Sequence, residues 1–365
     1  MKWLKMNKET SCDLQTLANI GEFALLNKII IPSVAKNNVV SPLGDDCAFV
    51  SLPSGNHELV VTTDVAPRPL AWHLGHISYR TWGWYAIVVN VSDLASAGAD
   101  PLVITTSIEA PGSMSVEDIK EFFIGMAEAA REHNITNAGG NIRESSQFAC
   151  HGTAIGTVPI NSRIRRNGSQ PGDIIVAIGN CCQFPIAYIK GRKCGFDELS
   201  IDEKDSLTRP RANIKEMQIL RNNGLVNAAS DNSDGILGAI WNIAEASGCS
   251  IELDMSLKNI PEIIIKTAYE HGYNPWNVFY FWGDWQVIVS VPQSNTAEFW
   301  CVIEKNHISA YSLGHFCEGP PQLFGNVEGT KKNIYLARNE SFVKDSFNND
   351  TLRHVEFMLR RPLWT

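Results

Sequence analysis

Six aspartates carry the strongest chemical signal in the chain: Asp45 and Asp46 in PLGDDCAFV, Asp64 at the end of LVVTTD, Asp93 in NVSDLASAGAD, and Asp231 and Asp234 in SDNSDG. Each sits beside small residues at the edge of an apolar segment, where a fold can gather loops from distant parts of the sequence. Singly, each has an ordinary reading: Gly-Asp is common turn chemistry, and Asp93 or Asp234 could cap a helix. Together they ask for a shared explanation. Grouped carboxylates repel one another and raise each other's pKa values, so they stay ionised only where a cation offsets them. Oxygen donors alone point to Mg2+, which is usually held by one or two carboxylates with waters and substrate phosphates. Phosphate is therefore the expected second partner. Gly139 and Gly140 in NAGGN would let backbone amides approach a phosphate, and Gly98 and Gly235 allow tight packing beside the charged loops. The glycines form neither a Walker sequence nor a GxGxxG.

Positioning such groups requires regular elements. Residues 59–64 read as a buried strand ending on Asp64, because β-branched residues dominate. Ser115 and Asp118 form a capping box for an amphipathic helix with Ile119, Phe122, Phe123, Met126 and Ala130 at helical spacing. A strand is expected from Phe148 to Val158, then the turn-rich RRNGSQPGD and a second apolar strand at residues 174–179. Ser233 or Asp234 is expected to start a helix in which Ile236, Ile240 and Ile243 share a face and which Gly248 ends. Strands follow at Ser250 to Leu253 and Gln286 to Val291. Alternating helices and strands imply an α/β protein, or α+β layers, with helices covering sheets. The boundary near residue 160 divides the chain into 1–160 and 161–365, each expected to have its own core.

With 44% apolar and 19% charged residues over 365 positions, the composition is that of a globular protein. A net charge of -8 argues against general affinity for nucleic acid, which rests on neutralising phosphates. Arg163, Arg165 and Arg166, the one basic cluster, are expected on a solvated hairpin. Nine cysteines with no CxxC cannot all pair within one chain and fit a reducing cytosol. MKWLKMNKETSCDL lacks the apolar core of a signal peptide, and no stretch of eighteen apolar residues is present. A soluble, cytoplasmic protein without a membrane partner is expected.

The ordered set GDDCAFV, VVTTD, VVNVSDLASAGADP, NAGGN, RRNGSQPGDIIVAIG, TRPR and SDNSDGILGAIWNIAEASG resembles thiamine-monophosphate kinase, within the superfamily that includes aminoimidazole ribonucleotide (AIR) synthase. The likeness runs from about residue 20 to residue 292. It implies a PurM-like two-domain fold: an N-terminal domain that binds ATP and Mg2+ and pairs its sheet across a homodimer into a barrel, and a C-terminal mixed sheet covered by helices. By resemblance, Asp45, Asp46, Asp64 and Asp93 hold Mg2+ that bridges to the ATP phosphates. Asp231 and Asp234 close over the reacting phosphate from the other domain, as metal-binding and catalytic groups. Asp45, Thr63, Gly139, Gly140, Asn141 and Ser233 are the implied nucleotide-binding residues. The implied reaction is direct in-line transfer of the ATP γ-phosphate to a small molecule, without a phosphoenzyme. The alternative, as in AIR synthase, is phosphorylation of an amide or carboxylate oxygen that a nitrogen nucleophile then displaces.

Three departures bear on the acceptor. Asn141 stands where the family reads GGD, Tyr85 stands where it has a lysine, and FWGDWQV (281–287) stands where it has GGEDYEL, keeping only Asp284. Gly-Asp-Trp-Gln for Glu-Asp-Tyr-Glu removes two negative charges suited to a cationic thiazolium. Trp282, Trp285 and Asp284 are accordingly expected to border a more aromatic acceptor pocket that prefers a neutral or anionic acceptor; the competing expectation is that both tryptophans are core residues. A role through partner proteins, as in superfamily members that mature hydrogenases, goes with a C-terminal cysteine, whereas the sequence ends RRPLWT.

Overall fold

The computed structural model describes residues 16–33, 40, 44–52, 55–343, 346–347 and 349–364; Cys12 and the segment read for a signal peptide lie outside them. Two sheets organise the described residues. The first contains β1 (Ala48–Ser51), β2 (His57–Val65), β3 (Asp100–Ala110), β4 (Thr136–Glu144) and β5 (Ala149–Pro159), in the order β1-β2-β5-β3-β4. Its pairs are antiparallel except β3 with β4. The second contains β6 (Ile174–Ile178), β7 (Ala228–Asp231), β8 (Ser250–Asp254), β9 (Val287–Val291), β10 (Ala310–Cys317), β11 (Leu323–Val327) and β12 (Thr330–Asn333), in the order β12-β11-β8-β10-β6-β9-β7. The mixed α/β architecture is the one expected.

Between the sheets runs a helix, Tyr79–Ser96, buried around nearly its whole circumference, as its continuous apolar sequence requires. Trp84 donates its indole N–H to the Pro210 carbonyl at 2.7 Å, and the Tyr85 hydroxyl donates to the Leu207 carbonyl at 3.1 Å, so the helix is tied to the second half of the chain. It meets the Val116–Glu132 helix at backbone distance: a Cβ on Gly83 would lie 1.9 Å from the Phe122 carbonyl oxygen, and one on Gly125 would lie 1.9 Å from that of Arg80. Ser115 opens the latter helix by accepting from the Asp118 N–H, as its sequence signals.

The buried residues form two clusters. One buried cluster lies on the outer face of the second sheet, with Ile175, Ala177, Ile236, Ile240 and Phe316. The other spans the first sheet, the central helices and the inner face of the second sheet, including Val176, Ile178, Val287 and Val289. The reason is strand alternation: β6 and β9 bury both faces, so their successive residues feed opposite clusters. Among the described residues, the first sheet is covered on one side only. Glu58, Val60 and Thr62 of β2 are buried toward the helices, whereas Thr63 and Val65 lie exposed on the other face.

The Ile236–Ser247 helix begins one residue later than expected. Gly235, at φ 91°, is its N-cap, so neither Ser233 nor Asp234 is consumed in capping, while Gly248 ends it at φ 69°. NAGGN lies within edge strand β4. No described helix is long and apolar enough to cross a membrane.

Candidate active site

The six aspartates reach the junction of the two sheets on five different parts of the chain. The turn before β1 brings Asp45 and Asp46, β2 brings Asp64 on its helix-facing side, and the last turn of the Tyr79–Ser96 helix brings Asp93. Asp231 ends β7, and Asp234 precedes the Ile236–Ser247 helix. Hydrogen bonds knit these parts together across the halves of the chain. The Asp231 N–H donates to Asp46 Oδ2 at 3.1 Å and the Ser230 hydroxyl to Asp46 Oδ1 at 3.5 Å. Ser92 and Ser233 donate to the two oxygens of Asp231 at 3.4 and 3.1 Å. Thr62 donates to Asp93, and the Asp64 N–H donates to Asn90 Oδ1 at 3.0 Å.

Burial and mutual repulsion then set the charge state. Burial raises Asp93 well above the carboxylate range, and the charges of Asp231, Asp46 and Asp64 raise it further. Burial also raises Asp231, helped by Asp46 and Asp234 and opposed by Arg166. Asp234 is pushed up to about 7 by burial and by Glu22, against the pull of Arg166 and Arg338. Asp64 is pushed up to about 6, again chiefly by burial. Carboxylates in this state gain by sharing a divalent cation, because each resists ionising without one. Oxygen donors grouped on separate, fixed elements fit Mg2+. The neighbouring Cys47 thiol is driven up by burial and then by the surrounding aspartates, so it stays protonated and offers no thiolate.

Sequence reasoning missed three residues here. Arg165 donates through Nε to Asp45 Oδ2 at 2.6 Å, the Arg166 N–H donates to Asp45 Oδ1 at 2.9 Å, and Arg166 Nε donates to Asp46 Oδ1 at 2.7 Å. The expected solvated hairpin is therefore corrected: the Arg165 and Arg166 side chains are only 23% and 24% exposed and answer the paired aspartates with paired guanidiniums. Burial opposes the charge on Arg166, but Asp46, Asp231 and Asp234 hold it protonated. Arg163, though exposed, pairs with Glu58 at 2.7 Å. The matching DD and RR doublets were the available signal. Glu22 adds its charge to Asp64 and Asp234 while its carboxylate accepts from the Ser341 N–H at 2.8 Å; nothing in its local sequence marks it.

Other expected residues fall elsewhere. The Asp45 carboxylate is taken up by Arg165 and Arg166. Thr63 is on the open face of β2, 3.0 Å from the Thr153 hydroxyl and opposite to Thr62 and Asp64. Gly139, Gly140 and Asn141 occupy exposed β4. The register aligns Asp64 with Gly152, Gly152 with Thr106 and Thr106 with Gly140, placing Asn141 one row beyond Asp64 on the far edge of the sheet. Gly140 also has a purely structural need, since its Cβ would stand 1.8 Å from the Thr106 carbonyl oxygen.

The segment expected to border the acceptor is split by left-handed backbone at Gly283 (φ 107°) and Trp285 (φ 53°). Trp285 is buried between the sheets, edge-on to Tyr85 at 6.0 Å. Trp282 turns to the other cluster, stacked on Phe281 at 3.9 Å and tilted against His354. The two tryptophans thus join different buried clusters, Trp285 as a core residue between the sheets. Asp284 accepts the backbone N–H of Phe184 at 2.8 Å, together with those of Cys182 and Gln183, and so anchors the start of the Gln183–Cys194 helix. Its desolvated carboxyl is pushed up to about 7. A cavity of about 610 Å3 lined by Asp254, Tyr269, Trp276 and Trp364 contains none of the site residues.

The sequence model of the AIR synthase related protein N-terminal domain matches residues 44–158, and that of the C-terminal domain matches residues 170–324. The thiamine-monophosphate kinase of Methanospirillum hungatei is 28% identical over 289 residues, covering 79% of this chain and 91% of that protein. That of Haemophilus influenzae is 27% identical over 242 residues, covering 65% and 71%. Among solved structures, AaThiL complexed with AMPPCP and TMP superposes with a TM-score of 0.74 at 23% identity, over 90% of this chain and 99% of that one.

Proposed function

The chain belongs to the AIR synthase related protein family, and from that membership we propose that it is an ATP- and Mg2+-dependent phosphotransferase that passes the ATP γ-phosphate to a small acceptor. The observation that carries this reading is the convergence of Asp46, Asp64, Asp93, Asp231 and Asp234, from both halves of the chain, into one mutually repelling group. Phosphoryl transfer asks a protein mostly for positioning and for neutralisation of phosphate charge. Mg2+, when bound, supplies that neutralisation and orients the phosphates; Asp46, Asp64, Asp93 and Asp231 would hold it. Asp234 stands over the same junction at a pKa near neutrality, suited to accepting a proton from an acceptor hydroxyl. Arg166 adds a fixed positive charge beside Asp46, available to a phosphate oxygen once Asp46 turns to metal.

The acceptor differs, on this reading, from the thiamine monophosphate of the curated relatives, because the Phe281–Val287 segment lacks two carboxylates of the family pattern and its remaining aspartate is engaged by backbone amides. The open face of the first sheet, which leaves Val65 50% exposed, supports a homodimer formed through it. The test is product analysis after incubation with Mg2+, ATP and thiamine monophosphate, then with neutral and anionic hydroxyl compounds. A stable phosphorylated acceptor supports kinase chemistry; free phosphate formed only alongside an amine supports the AIR synthase-like alternative; no ATP consumption with any acceptor rejects both.

A further inference from the structure

We propose that Glu252, His315 and Cys317 form a surface site for a borderline divalent cation such as Zn2+, separate from the carboxylate cluster. A carboxylate oxygen, an imidazole nitrogen and the sulfur from these residues all lie within 4.8 Å of one another. Such a mixed set suits Zn2+ or Co2+ and not Mg2+, which takes oxygen.

The fold builds the arrangement. β8 and β10 pair antiparallel with His315 opposite Glu252 and Cys317 opposite Ser250, so the three side chains share one face of adjoining strands. A bulge between Ser312 and Gly314 makes this possible. Leu313 and Phe316, three residues apart, both face the outer core cluster, a spacing no regular strand allows. The bulge shifts the phase, buries Phe316 and turns His315 and Cys317 to the opposite face. On that face the helices cover β6, β9 and β7, whereas His315 is exposed and Glu252 and Cys317 are half-buried. The site is thus reachable, with its donors on strands rather than on a mobile loop.

A competing cation is already present. Lys331 on β12 reaches Glu252 Oε2 at 3.2 Å, with its ammonium 4.3 Å from the centre of the Phe324 ring. Metal binding replaces that ion pair: the S–H bond of Cys317 breaks, a sulfur–metal bond forms, and the proton leaves to solvent, while His315 binds through a neutral nitrogen. Three protein donors leave one position for water or an external ligand.

Cobalt(II) titration of the full chain, with Mg2+ in excess to occupy the carboxylate cluster, tests the proposal through the absorption band that cobalt–thiolate bonding creates. The expected result is a band saturating at one equivalent, displaced by Zn2+, lost in Cys317→Ser and weakened at least tenfold in affinity by His315→Ala. Lys331→Met is expected to tighten binding several-fold, an effect that chance capture by another thiol would not produce. No band in the wild-type protein, a band that survives Cys317→Ser, or an affinity indifferent to both His315→Ala and Lys331→Met would overturn it.

Discussion

The carboxylate cluster and the Phe281–Val287 segment meet on adjoining strands, where Asp231 of β7 lies opposite Val287 of β9, yet they use aspartate in opposite ways. At the cluster, carboxylates face one another and are raised by burial and by each other's charge. At the segment, Asp284 is also raised by burial but finds three backbone N–H groups, and its neighbours pack into two separate apolar clusters. One region stores electrostatic frustration that a ligand can relieve, and the other has its carboxylate already satisfied by backbone amides. The same residue type therefore reads as function in the first place and as architecture in the second.

The sharpest way to break that contrast is to neutralise one member of each region. Asp231→Asn is expected to lower ATP turnover by about a thousandfold, in line with the loss of a group that stabilises transition-state charge, while raising the thermal midpoint of the metal-free protein. Turnover assays and calorimetry in chelator check both; undiminished turnover would place the chemistry elsewhere. Trp285→Ala should do the reverse, costing about 3–5 kcal/mol of stability by emptying a core site, with an unchanged acceptor KM in the folded protein. Urea unfolding and steady-state kinetics separate the outcomes, and a KM change without a stability loss would return Trp285 to the acceptor pocket. Asp284→Ala is expected to cost about 2 kcal/mol by leaving helix N–H groups without an acceptor, with little effect on nucleotide affinity.

A smaller effect follows from pH. An acid whose pKa is higher folded than unfolded binds more protons in the folded state across the interval between the two values, so stability falls as pH rises through it. For Asp64 and Asp234 that interval runs from 3.8 to about 6 and about 7. The metal-free protein should therefore melt higher near pH 5 than near pH 7.5, and Mg2+ should raise the midpoint more at pH 7.5. Equal Mg2+ shifts at both values, by scanning calorimetry, would remove the cluster as the cation site.

Legibility in the sequence followed the same divide. The strand ending on Asp64, the Ser115-capped helix and the layered α/β plan could be read because local pattern and tertiary role agree there. The aspartates stood out because small residues and apolar segment edges frame them. Arg166 did not, since its meaning lies in a contact with Asp46 that crosses 120 positions of sequence. Thr63, read as a nucleotide-binding residue, lies on the opposite face from Thr62 and Asp64, as the period of two in a strand requires. That Trp285 turns away from Trp282 was not legible, because its left-handed backbone leaves no mark in a non-glycine residue type.

The central claim is that these aspartates hold the metal that holds ATP, and isothermal calorimetry of ATP binding to the wild-type chain and to Asp93→Asn, each with and without Mg2+, tests it most directly. The account predicts binding to the wild type only when Mg2+ is present and a severe weakening in Asp93→Asn, because the lost ligand charge leaves the metal–phosphate complex short of neutralising groups. ATP binding of equal affinity with and without Mg2+, or unchanged by Asp93→Asn, would contradict it.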